Sequence, residues 1–311
     1  MMSGKAPLIS IGLPVFNGEL YLAKAIDSIL EQDTENFELL ISDNCSTDST
    51  PDICTRYARA DSRIKCARLE TNIGAAPNYN RVFELSSGTY FKWAAHDDII
   101  LPTFLRRCLE TFELYQEKHS TPAIVYPHSD LIDENGGLIR PDTKTMHTTS
   151  RWPGKRVFDA VQAMGMAAPI FGLMPREMVA RTRLIGSFLT SDYVFMLEAA
   201  MLGSIVQFDD VLFLRRVHPK QSRQANRKKT AVLAWFDPNV RQRTPENLNL
   251  HVEYFRSVSS LKGLSAPERA GCYIGLTAGL LGLGARRGRV LQGRYRRRVA
   301  AFLKGAFSGV K

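Results

Sequence analysis

Short apolar segments alternate with amphipathic ones from residue 8 onward, and this alternation limits the possible folds more than any other feature of the chain. Strand-like runs occupy residues 8–15, 37–43, 63–70 and 88–95. Between them, apolar residues recur at the three- and four-residue spacing of an amphipathic helix. Parallel strands need long crossover connections, which helices supply. The series therefore predicts an α/β fold with a mostly parallel central sheet flanked by helices.

Three polar loops follow strands of this predicted sheet. They span Pro14–Glu19, Asp43–Asp48 and His96–Asp98. The carboxyl ends of parallel strands lie at one edge, and the ligands of such sheets bind beyond that edge. We therefore expect the three loops to form one rim around a binding site.

The second half of the chain divides into three parts. Residues 138–156 are polar and predict a surface loop, after which strand-like and helix-like segments continue to about residue 218. Residues 219–246 are polar and basic, as is typical of a linker, and the pattern that follows is helical. We predict a main domain over residues 6–218, and a linker with a basic helical C-terminal extension over residues 219–311.

Cysteine spacing and hydropathy exclude several protein classes. The five cysteines form no C-x-x-C pair, which excludes zinc ribbons and thiol-exchange motifs. The longest apolar stretch, Gly271–Gly284, has 14 residues, whereas a membrane-spanning helix needs about 20. The first residues lack the apolar core of a secretory signal. These features predict a cytoplasmic protein.

Two of the three loops carry carboxylates suited to metal and nucleotide binding. Adjacent carboxylates at Asp97 and Asp98 repel each other unless a cation or donor groups compensate, and hard divalent cations take oxygen ligands. The loop that begins at Asp43 is rich in Ser, Thr and Asn, which hydrogen-bond to nucleosides but also cap helices. Taken alone, each loop is more simply explained as a turn that caps the next helix.

Four segments in order resemble the family 2 inverting nucleotide-sugar glycosyltransferases of the GT-A fold. The segments are PLISIGLPVFNGELYLAKAIDSIL, SDNCSTDST, TNIGAAPNYNRVFEL and GTYFKWAAHDD. They are similar to the family's Pro-x-x-Asn opening, acidic Ser/Thr loop, Asn-x-Gly and Asp-Asp metal motif, and the resemblance covers about residues 6–218. It implies a GT-A type fold, a nucleotide-sugar donor and sugar transfer with inversion.

The resemblance assigns donor and metal roles to these loops. Asp43 corresponds to the carboxylate that accepts a hydrogen bond from the nucleobase, and Asp97 to a residue near the ribose or donor sugar. Asp98 corresponds to the principal ligand of a divalent cation, Mn²⁺ or Mg²⁺, with His218 as a second ligand. The other predicted donor-binding residues are Pro14, Phe16, Asn17, Glu19, Asn72, Gly74 and Asn78.

The chain departs from the family pattern at three positions. Asn44 and Cys45 replace the commoner Asp and Gly of the second loop, and His96 replaces the usual first acid of the metal motif. One hard oxygen ligand is therefore missing. Arg215 and Arg216 follow a strand just before the linker and are predicted to balance the charge of the diphosphate.

The acceptor side of the predicted site comes from the second half of the chain. Asp192 opens a helix at the position where the family carries its general base, which must reach the acceptor hydroxyl. Glu198 is the alternative base. Gly172 lies in a segment that resembles the family's acceptor-side loop, where glycine permits close backbone approach.

The charge of the chain is concentrated near its end. The formal net charge is +10, and residues 286–304 hold eight Lys and Arg without any Asp or Glu, which leaves +2 elsewhere. Interleaved apolar residues make this segment amphipathic, as in helices that lie on anionic lipid. A nucleic-acid arm, or a helix packed on the main domain, has the same composition.

These features predict an inverting, metal-dependent glycosyltransferase. It would move a sugar from a nucleotide-diphosphate donor, expected to be a UDP-sugar, to a saccharide or lipid-linked saccharide in cell-surface polysaccharide synthesis. The alternatives are a sugar-phosphate nucleotidyltransferase, although the first loop has no Lys or Arg, and a non-catalytic nucleotide-sugar or nucleic-acid binding protein. A lipid-linked acceptor favours contact of residues 286–304 with the inner face of the plasma membrane over binding of nucleic acid.

Overall fold

The computed structural model describes residues 6–118, 121–165, 168–219 and 246–283. Its first sheet contains five strands: β1 Ile9–Val15, β2 Phe37–Asp43, β3 Ile64–Arg68, β4 Tyr90–Trp93 and β8 Met174–Pro175. The first four are parallel in the order β3-β2-β1-β4, and β8 pairs with β4 in the antiparallel direction. The predicted parallel series is therefore confirmed.

Helices follow these strands and cover the sheet. They are α1 Leu22–Leu30, α2 Thr50–Ala60, α3 Ala75–Glu84 and α4 Phe104–Lys118. Every residue of β1 and β2 is buried. Continuous burial of this kind requires cover on both faces of the sheet, as parallel strands usually have.

A second sheet is mixed in direction. It contains β5 Ile99–Ile100, β6 Ile124–Ile132, β7 Leu138–Pro141 and β9 Ile205–Arg216, in the order β5-β9-β6-β7. Only β6 and β9 are parallel. The prediction of a surface loop over residues 138–156 is wrong in part, because this range contains β7 and the start of the next helix. All four residues of β7 are exposed, so the strand has no apolar alternation that the sequence could reveal.

The helices of the second half pack together on one side. They are α5 Pro153–Ala163, a 3₁₀ helix Ala168–Phe171, α6 Arg176–Ala180, α7 Ser191–Leu202, α8 Glu246–Ser260 and α9, residues 266–283. One buried apolar cluster joins Val157 of α5 and Leu197 of α7 to Val258 of α8 and Leu276 of α9. The two C-terminal helices thus share a core with the predicted main domain.

Parts of the predicted C-terminal region lie outside the described residues. These are residues 220–245 of the linker and the basic segment 286–304. Within the described ranges, no helix combines the length and the apolar character needed to cross a bilayer.

Candidate functional site

The loops after β1 and β2 are joined by reciprocal hydrogen bonds. The backbone N–H of Asn17 donates to Ser46 Oγ at 2.9 Å, and the Asn17 Oδ1 accepts from the N–H of Thr47 at 2.8 Å. Glu19 and Asp48 make similar contacts across the same gap. Asn17 has a φ of 52°, in the left-handed region that Asn tolerates better than most residues. The predicted donor residues Asn17 and Glu19 therefore hold the second loop in place.

Asp43 ends β2 beside this junction, with its side chain buried. Its Oδ1 accepts from the N–H of Ser46 at 3.0 Å. Its Oδ2 has no hydrogen-bond donor among the described residues, although Arg68 Nε lies 3.4 Å away. Arg68 is half exposed, so its charge compensates the carboxylate while one acceptor oxygen keeps the capacity for a further bond.

Asn44 connects the second loop to the segment before α3. Its Nδ2 donates to Asn72 Oδ1 at 2.9 Å and to the carbonyl of Gly74 at 3.1 Å, and its Oδ1 accepts from the N–H of Ile73. An amide both donates and accepts here, which the commoner Asp would not do. The departure at Asn44 therefore has a structural reason.

Asn78 is buried and bonded within the protein. Its Nδ2 donates to the carbonyl of Ser42 at 3.0 Å, and its Oδ1 accepts from the Ser42 hydroxyl at 2.6 Å. These bonds join α3 to β2. The predicted place of Asn78 in the wall of the donor pocket remains a prediction, while Phe16, at the mouth of the first loop, is 37% exposed.

Asp97 and Asp98 follow β4 on the other side of the first loop. A Cβ at Gly18 would lie 2.9 Å from the His96 ring, so the first loop runs directly against this segment. Asp98 Oδ1 accepts from the N–H of Arg216 at 2.8 Å. Asp97 Oδ2 lies 3.0 Å from His218 Nε2. The end of β9 therefore fixes both carboxylates at the rim.

The two neighbouring carboxyls differ in their electrostatics. Burial and the charge of Asp97 raise the pKa of Asp98 to about 7. Burial also acts to raise the pKa of Asp97, but the charges of His96 and His218 and the His218 hydrogen bond outweigh it and lower that pKa. The charges of Arg215 and Lys92 and the N–H of Arg216 act to lower the pKa of Asp98 but do not outweigh burial and Asp97. The ionised form of Asp98 is therefore only partly compensated, and a cation would supply further positive charge.

Arg216 is buried beneath the Asp97–Asp98 pair. Its Nε donates to the carbonyl of Asp97 at 3.0 Å, and its Nη1 donates to the carbonyls of Asp133 and Glu134. The guanidinium lies 4.8 Å from the centre of the Tyr21 ring. The observed contacts of Arg216 are therefore with the protein itself.

Arg215 and His218 flank Arg216 at the end of β9. Arg215 Nη1 donates to Asp142 Oδ2 at 2.9 Å. The His218 ring lies 4.7 Å from the Tyr21 ring, centre to centre. Tyr21 therefore packs against two residues of this group, although the sequence analysis did not identify it. Aromatic residues at helix starts are too common to have marked it.

Asp192 lies in the first turn of α7 and is partly exposed. Its charge, together with those of Asp97 and Asp98, raises the pKa of Tyr79 beyond the effect of burial. Phe195, one helical turn beyond Asp192, meets Trp93 at the end of β4 with ring centres 5.1 Å apart, so α7 begins near the strand that leads to Asp97 and Asp98. Tyr79 was also missed by the sequence analysis, although it directly follows Asn78 in the third family segment.

Glu198 and Gly172 lie in places that differ from their predicted roles. Glu198 is fully buried, pairs with Arg183 at 2.7 Å and accepts from the Ser257 hydroxyl at 2.7 Å. This enclosure contradicts Glu198 as the alternative base. A Cβ at Gly172 would lie 2.7 Å from the carbonyl oxygen of Val125, so the close approach that requires glycine is to β6. Contact of Gly172 with an acceptor remains a prediction.

Two carboxylates and a histidine are the groups that this rim offers to a cation. Within the described part of the chain, no cluster of three or more His, Cys, Asp or Glu has the geometry of a metal site. Mg²⁺ sites in phosphate-handling enzymes often use one or two carboxylates and take the other oxygens from substrate phosphates and water. Asp97 and Asp98 fit such a site, which the ligand itself would complete.

Comparison with protein families and curated proteins gives a consistent result. Residues 10–173 match the model of glycosyl transferase family 2. A teichuronic acid biosynthesis glycosyltransferase of Bacillus subtilis, TuaG, is 37% identical over 97 residues, which are 31% of this chain and 38% of that protein. An uncharacterized glycosyltransferase of Rickettsia typhi is 28% identical over 225 residues, 70% of this chain and 66% of that protein. The chain thus spans less than two thirds of the length of these relatives.

Solved structures share the fold at low sequence identity. A crystal structure of Staphylococcus aureus TarS, residues 1–349 with UDP-GlcNAc, has a TM-score of 0.59 and 16% identity. The match covers 86% of this chain and 71% of that one. The GT-A type fold expected from the sequence is therefore confirmed.

Proposed function

Because the chain belongs to glycosyl transferase family 2, we propose that it transfers a sugar, with inversion, from a nucleotide-diphosphate donor to a saccharide or lipid-linked saccharide. The proposed setting is the synthesis of a cell-surface polysaccharide. The observation that carries the proposal is the placement of Asp43, Asp97 and Asp98 beyond the carboxyl ends of β2 and β4, which lie on either side of β1, with the loop after β1 in contact with both segments. Asp192 lies in the first turn of α7, and its charge adds to those of Asp97 and Asp98 at Tyr79. These four carboxylates offer the groups needed to bind a nucleotide and to accept a proton.

The donor is proposed to be a UDP-sugar. Among the described residues Asp43 Oδ2 accepts no hydrogen bond, and the N3–H of uracil would supply one once the half-exposed Arg68 moves aside. The TarS structure that shares this fold holds UDP-GlcNAc, which supports the choice of uracil. Asn72 and Gly74 lie beside Asp43 through the Asn44 bonds and would border the base and ribose. Pro14 and Phe16 would complete this wall.

Asp98 and His218 are proposed to hold a divalent cation, Mn²⁺ or Mg²⁺, beside Asp97. When bound, the cation would neutralise charge on the leaving diphosphate. Asp97 is oriented by His218, and Asp98 by the N–H of Arg216. Arg216 adds positive charge behind both carboxylates, and Arg215 contributes at longer range while it is paired with Asp142.

Asp192 is proposed to be the general base. The acceptor hydroxyl would give its proton to the Asp192 carboxylate as its oxygen attacks the anomeric carbon. The bond from that carbon to the diphosphate oxygen breaks on the opposite face, and the nucleoside diphosphate leaves. Asp192 is partly exposed in the first turn of α7, which supports access to an acceptor from solvent.

A ligand screen followed by one substitution tests this function. UDP-, GDP- and dTDP-sugars are titrated by calorimetry with Mg²⁺ or Mn²⁺, and release of nucleoside diphosphate is then measured. Asp192→Asn should bind the donor like wild type but release nucleoside diphosphate at least about 100-fold more slowly. Asp209→Asn is the matched control, because that carboxylate is fully exposed on β9.

One outcome of these experiments would reject the assignment of the base, and another would reject sugar transfer. Ordinary turnover by Asp192→Asn would place the base elsewhere. Formation of a nucleoside triphosphate from nucleotide-sugar and pyrophosphate would identify a nucleotidyltransferase instead.

We also propose that residues 286–304 contact an anionic membrane surface where a lipid-linked acceptor would be found. The described helix that precedes them, α9, exposes Ile274 and Leu281 at 71% and 70%. Residues seven apart lie on the same helix face, so this apolar stripe supports the proposal. Flotation with anionic liposomes should recover the full chain more completely than a chain ending at Gly284. Equal recovery would reject the membrane role, and DNA binding that falls steeply with salt would favour nucleic acid.

A further inference from the structure

Tyr79 packs beside Trp93, which connects the strand leading to Asp97 and Asp98 with the helix that carries Asp192. Its carbonyl accepts from the Trp93 indole N–H at 2.9 Å, and the two rings lie 6.4 Å apart. Trp93 in turn meets Phe195 of α7 edge-on, with ring centres 5.1 Å apart. Trp93 ends the strand that leads to Asp97 and Asp98, and Phe195 lies one helical turn beyond Asp192. This aromatic row therefore fixes Tyr79 relative to both sides of the site.

The Tyr79 hydroxyl is available for a ligand. The side chain is partly exposed, and no described residue forms a hydrogen bond with its hydroxyl. Burial raises its pKa, and the charges of Asp97, Asp98 and Asp192 raise it further. The phenol therefore keeps its proton at physiological pH and is a hydrogen-bond donor whose pKa is affected by the charges of all three carboxylates.

The position of Tyr79 limits what it can contact. In the proposed reaction the diphosphate lies at Asp97 and Asp98, and the acceptor hydroxyl lies at Asp192. The transferred sugar must lie between them, because the anomeric carbon is bonded to one and attacked by the other. Asn78, the preceding residue, is directed to Ser42 on the nucleoside side, where its Nδ2 donates one hydrogen bond and its Oδ1 accepts another.

We propose that Tyr79 contacts the transferred sugar and donates a hydrogen bond from its phenol to a sugar hydroxyl, which makes it a determinant of donor-sugar selectivity. This inference rests on the proposed glycosyl transfer. A site that hydrogen-bonds a substrate hydroxyl discriminates strongly against sugars without that group. Tyr79 would thus act on the sugar and leave the nucleotide contacts to Asp43 and its neighbours.

Tyr79→Phe tests the inference, because it removes the hydroxyl and keeps the ring against Trp93. Dissociation constants for UDP, UDP-glucose and UDP-N-acetylglucosamine are measured with Mg²⁺ or Mn²⁺ present. Loss of one hydrogen bond should weaken the better-bound UDP-sugar about five- to tenfold and change UDP by less than about twofold. Tyr57→Phe is the control, since its hydroxyl bonds to Asp27 between α1 and α2, and the binding of none of the three ligands should be affected.

The contrast between UDP and UDP-sugar separates a sugar contact from a structural effect. Equal weakening of both ligands, or no weakening of either, would overturn the role of Tyr79 while leaving the proposed function in place. If wild type binds none of the three probes although the fold is intact, the proposed UDP-sugar reaction and this inference fall together. A melting temperature of Tyr79→Phe close to that of wild type confirms that the variant is folded.

Discussion

Asp98 is the residue in which stability and the proposed activity oppose each other. Asp98→Asn keeps the size of the side chain and an oxygen for the N–H of Arg216, but it removes the charge proposed to bind a cation. We expect nucleoside diphosphate release to fall by more than about 100-fold, since metal stabilisation of a leaving group is worth several kcal/mol. The measurement is turnover with Mg²⁺ or Mn²⁺, with Asp209→Asn as the control. Turnover near that of wild type would refute the assignment of Asp98 to the metal.

The raised pKa of Asp98, about 7, also gives the sign of its effect on stability. Below pH 7 the folded protein holds a proton on Asp98 that the unfolded chain has lost above its ordinary pKa of 3.8. Stability contributed by Asp98 is therefore lost as the pH rises toward 7. The Asn variant avoids this loss, so without divalent cations its melting temperature should exceed that of wild type at pH 7 and above. A melting temperature below that of wild type would contradict the electrostatic argument.

Lys92 is a second buried charge near the rim. Its Nζ donates to the carbonyl of Trp93 at 3.0 Å and lies 4.8 Å from the centre of the Phe104 ring. Burial lowers its pKa from 10.5 to about 8. At pH 7 both folded and unfolded chains carry the proton, so the folded state bears the full cost of the buried charge. Lys92→Met should therefore raise the free energy of unfolding by about 1–3 kcal/mol at pH 7.

The pH dependence of that difference is the sharper measurement. As the pH rises from 8 to 10.5, the folded wild type loses the Lys92 proton before the unfolded chain does, so its stability increases. The advantage of Lys92→Met should shrink over this range in urea unfolding experiments. A difference that stays constant with pH would show that packing, and not charge, causes it.

At the scale of whole elements, α5 and α9 approach each other through glycine. A Cβ at Gly275 would lie 2.0 Å from the carbonyl oxygen of Gly154, whereas a Cβ at Gly271 would meet nothing within 4 Å. Gly275→Ala should therefore destabilise the protein by about 1–3 kcal/mol, because the helices must separate. Gly271→Ala on the same helix should be neutral or stabilise by up to about 1 kcal/mol through helix propensity. Similar values for the two variants in urea unfolding would contradict the contact.

The elements that the sequence predicts correctly are those with a local signal. Continuous apolar runs predict β1 and β2, and apolar residues at three- and four-residue spacing predict α1. Helix α5 also has a local signal, because Pro153 stands in its first turn and Val157 and Val161 are buried at helical spacing. The predicted surface loop over residues 138–156 did not take this signal into account. Strand β5 has only two residues and exists because it pairs with β9, more than 100 residues later. No local pattern could have revealed it.

The candidate site likewise has a part that the sequence predicts and a part that it does not. The positions of Asp43, Asp97 and Asp98 at strand ends follow from the α/β alternation and are as predicted from sequence. The hydrogen-bond partners of Asp97 and Asp98 cannot be predicted in this way, because long-range strand pairing is what brings Arg216 and His218, at the end of β9, to these carboxylates. The sequence predicts that Arg216 balances the charge of the diphosphate. Its hydrogen bonds to three carbonyl groups depend on the second sheet and could not be predicted.

At the scale of the whole molecule, the boundary predicted at residue 218 does not divide the core. Val194 and Leu197 of α7 are buried in the cluster that includes α8 and α9. Arg183, which pairs with Glu198 of α7, also pairs with Glu253 of α8 at 2.8 Å. Burial raises the pKa of Tyr254 on α8, and the charge of Asp192 raises it further, so α8 lies near the proposed base. The C-terminal helices therefore support the helix that carries Asp192.

Truncation tests this dependence. A chain ending at His218 would expose several apolar side chains of α5 and α7, each worth about 1.5–3 kcal/mol when buried, and would leave Arg183 without Glu253. We expect it to lose cooperative unfolding or to melt at least about 10 °C lower, since a few kcal/mol is a large part of total stability. A chain ending at Gly284 keeps α8 and α9 and should melt close to the full chain. If the shorter chain unfolded as cooperatively and at the same temperature as the longer one, residues 6–218 would be an independent domain, and the shared core would contribute nothing to its stability.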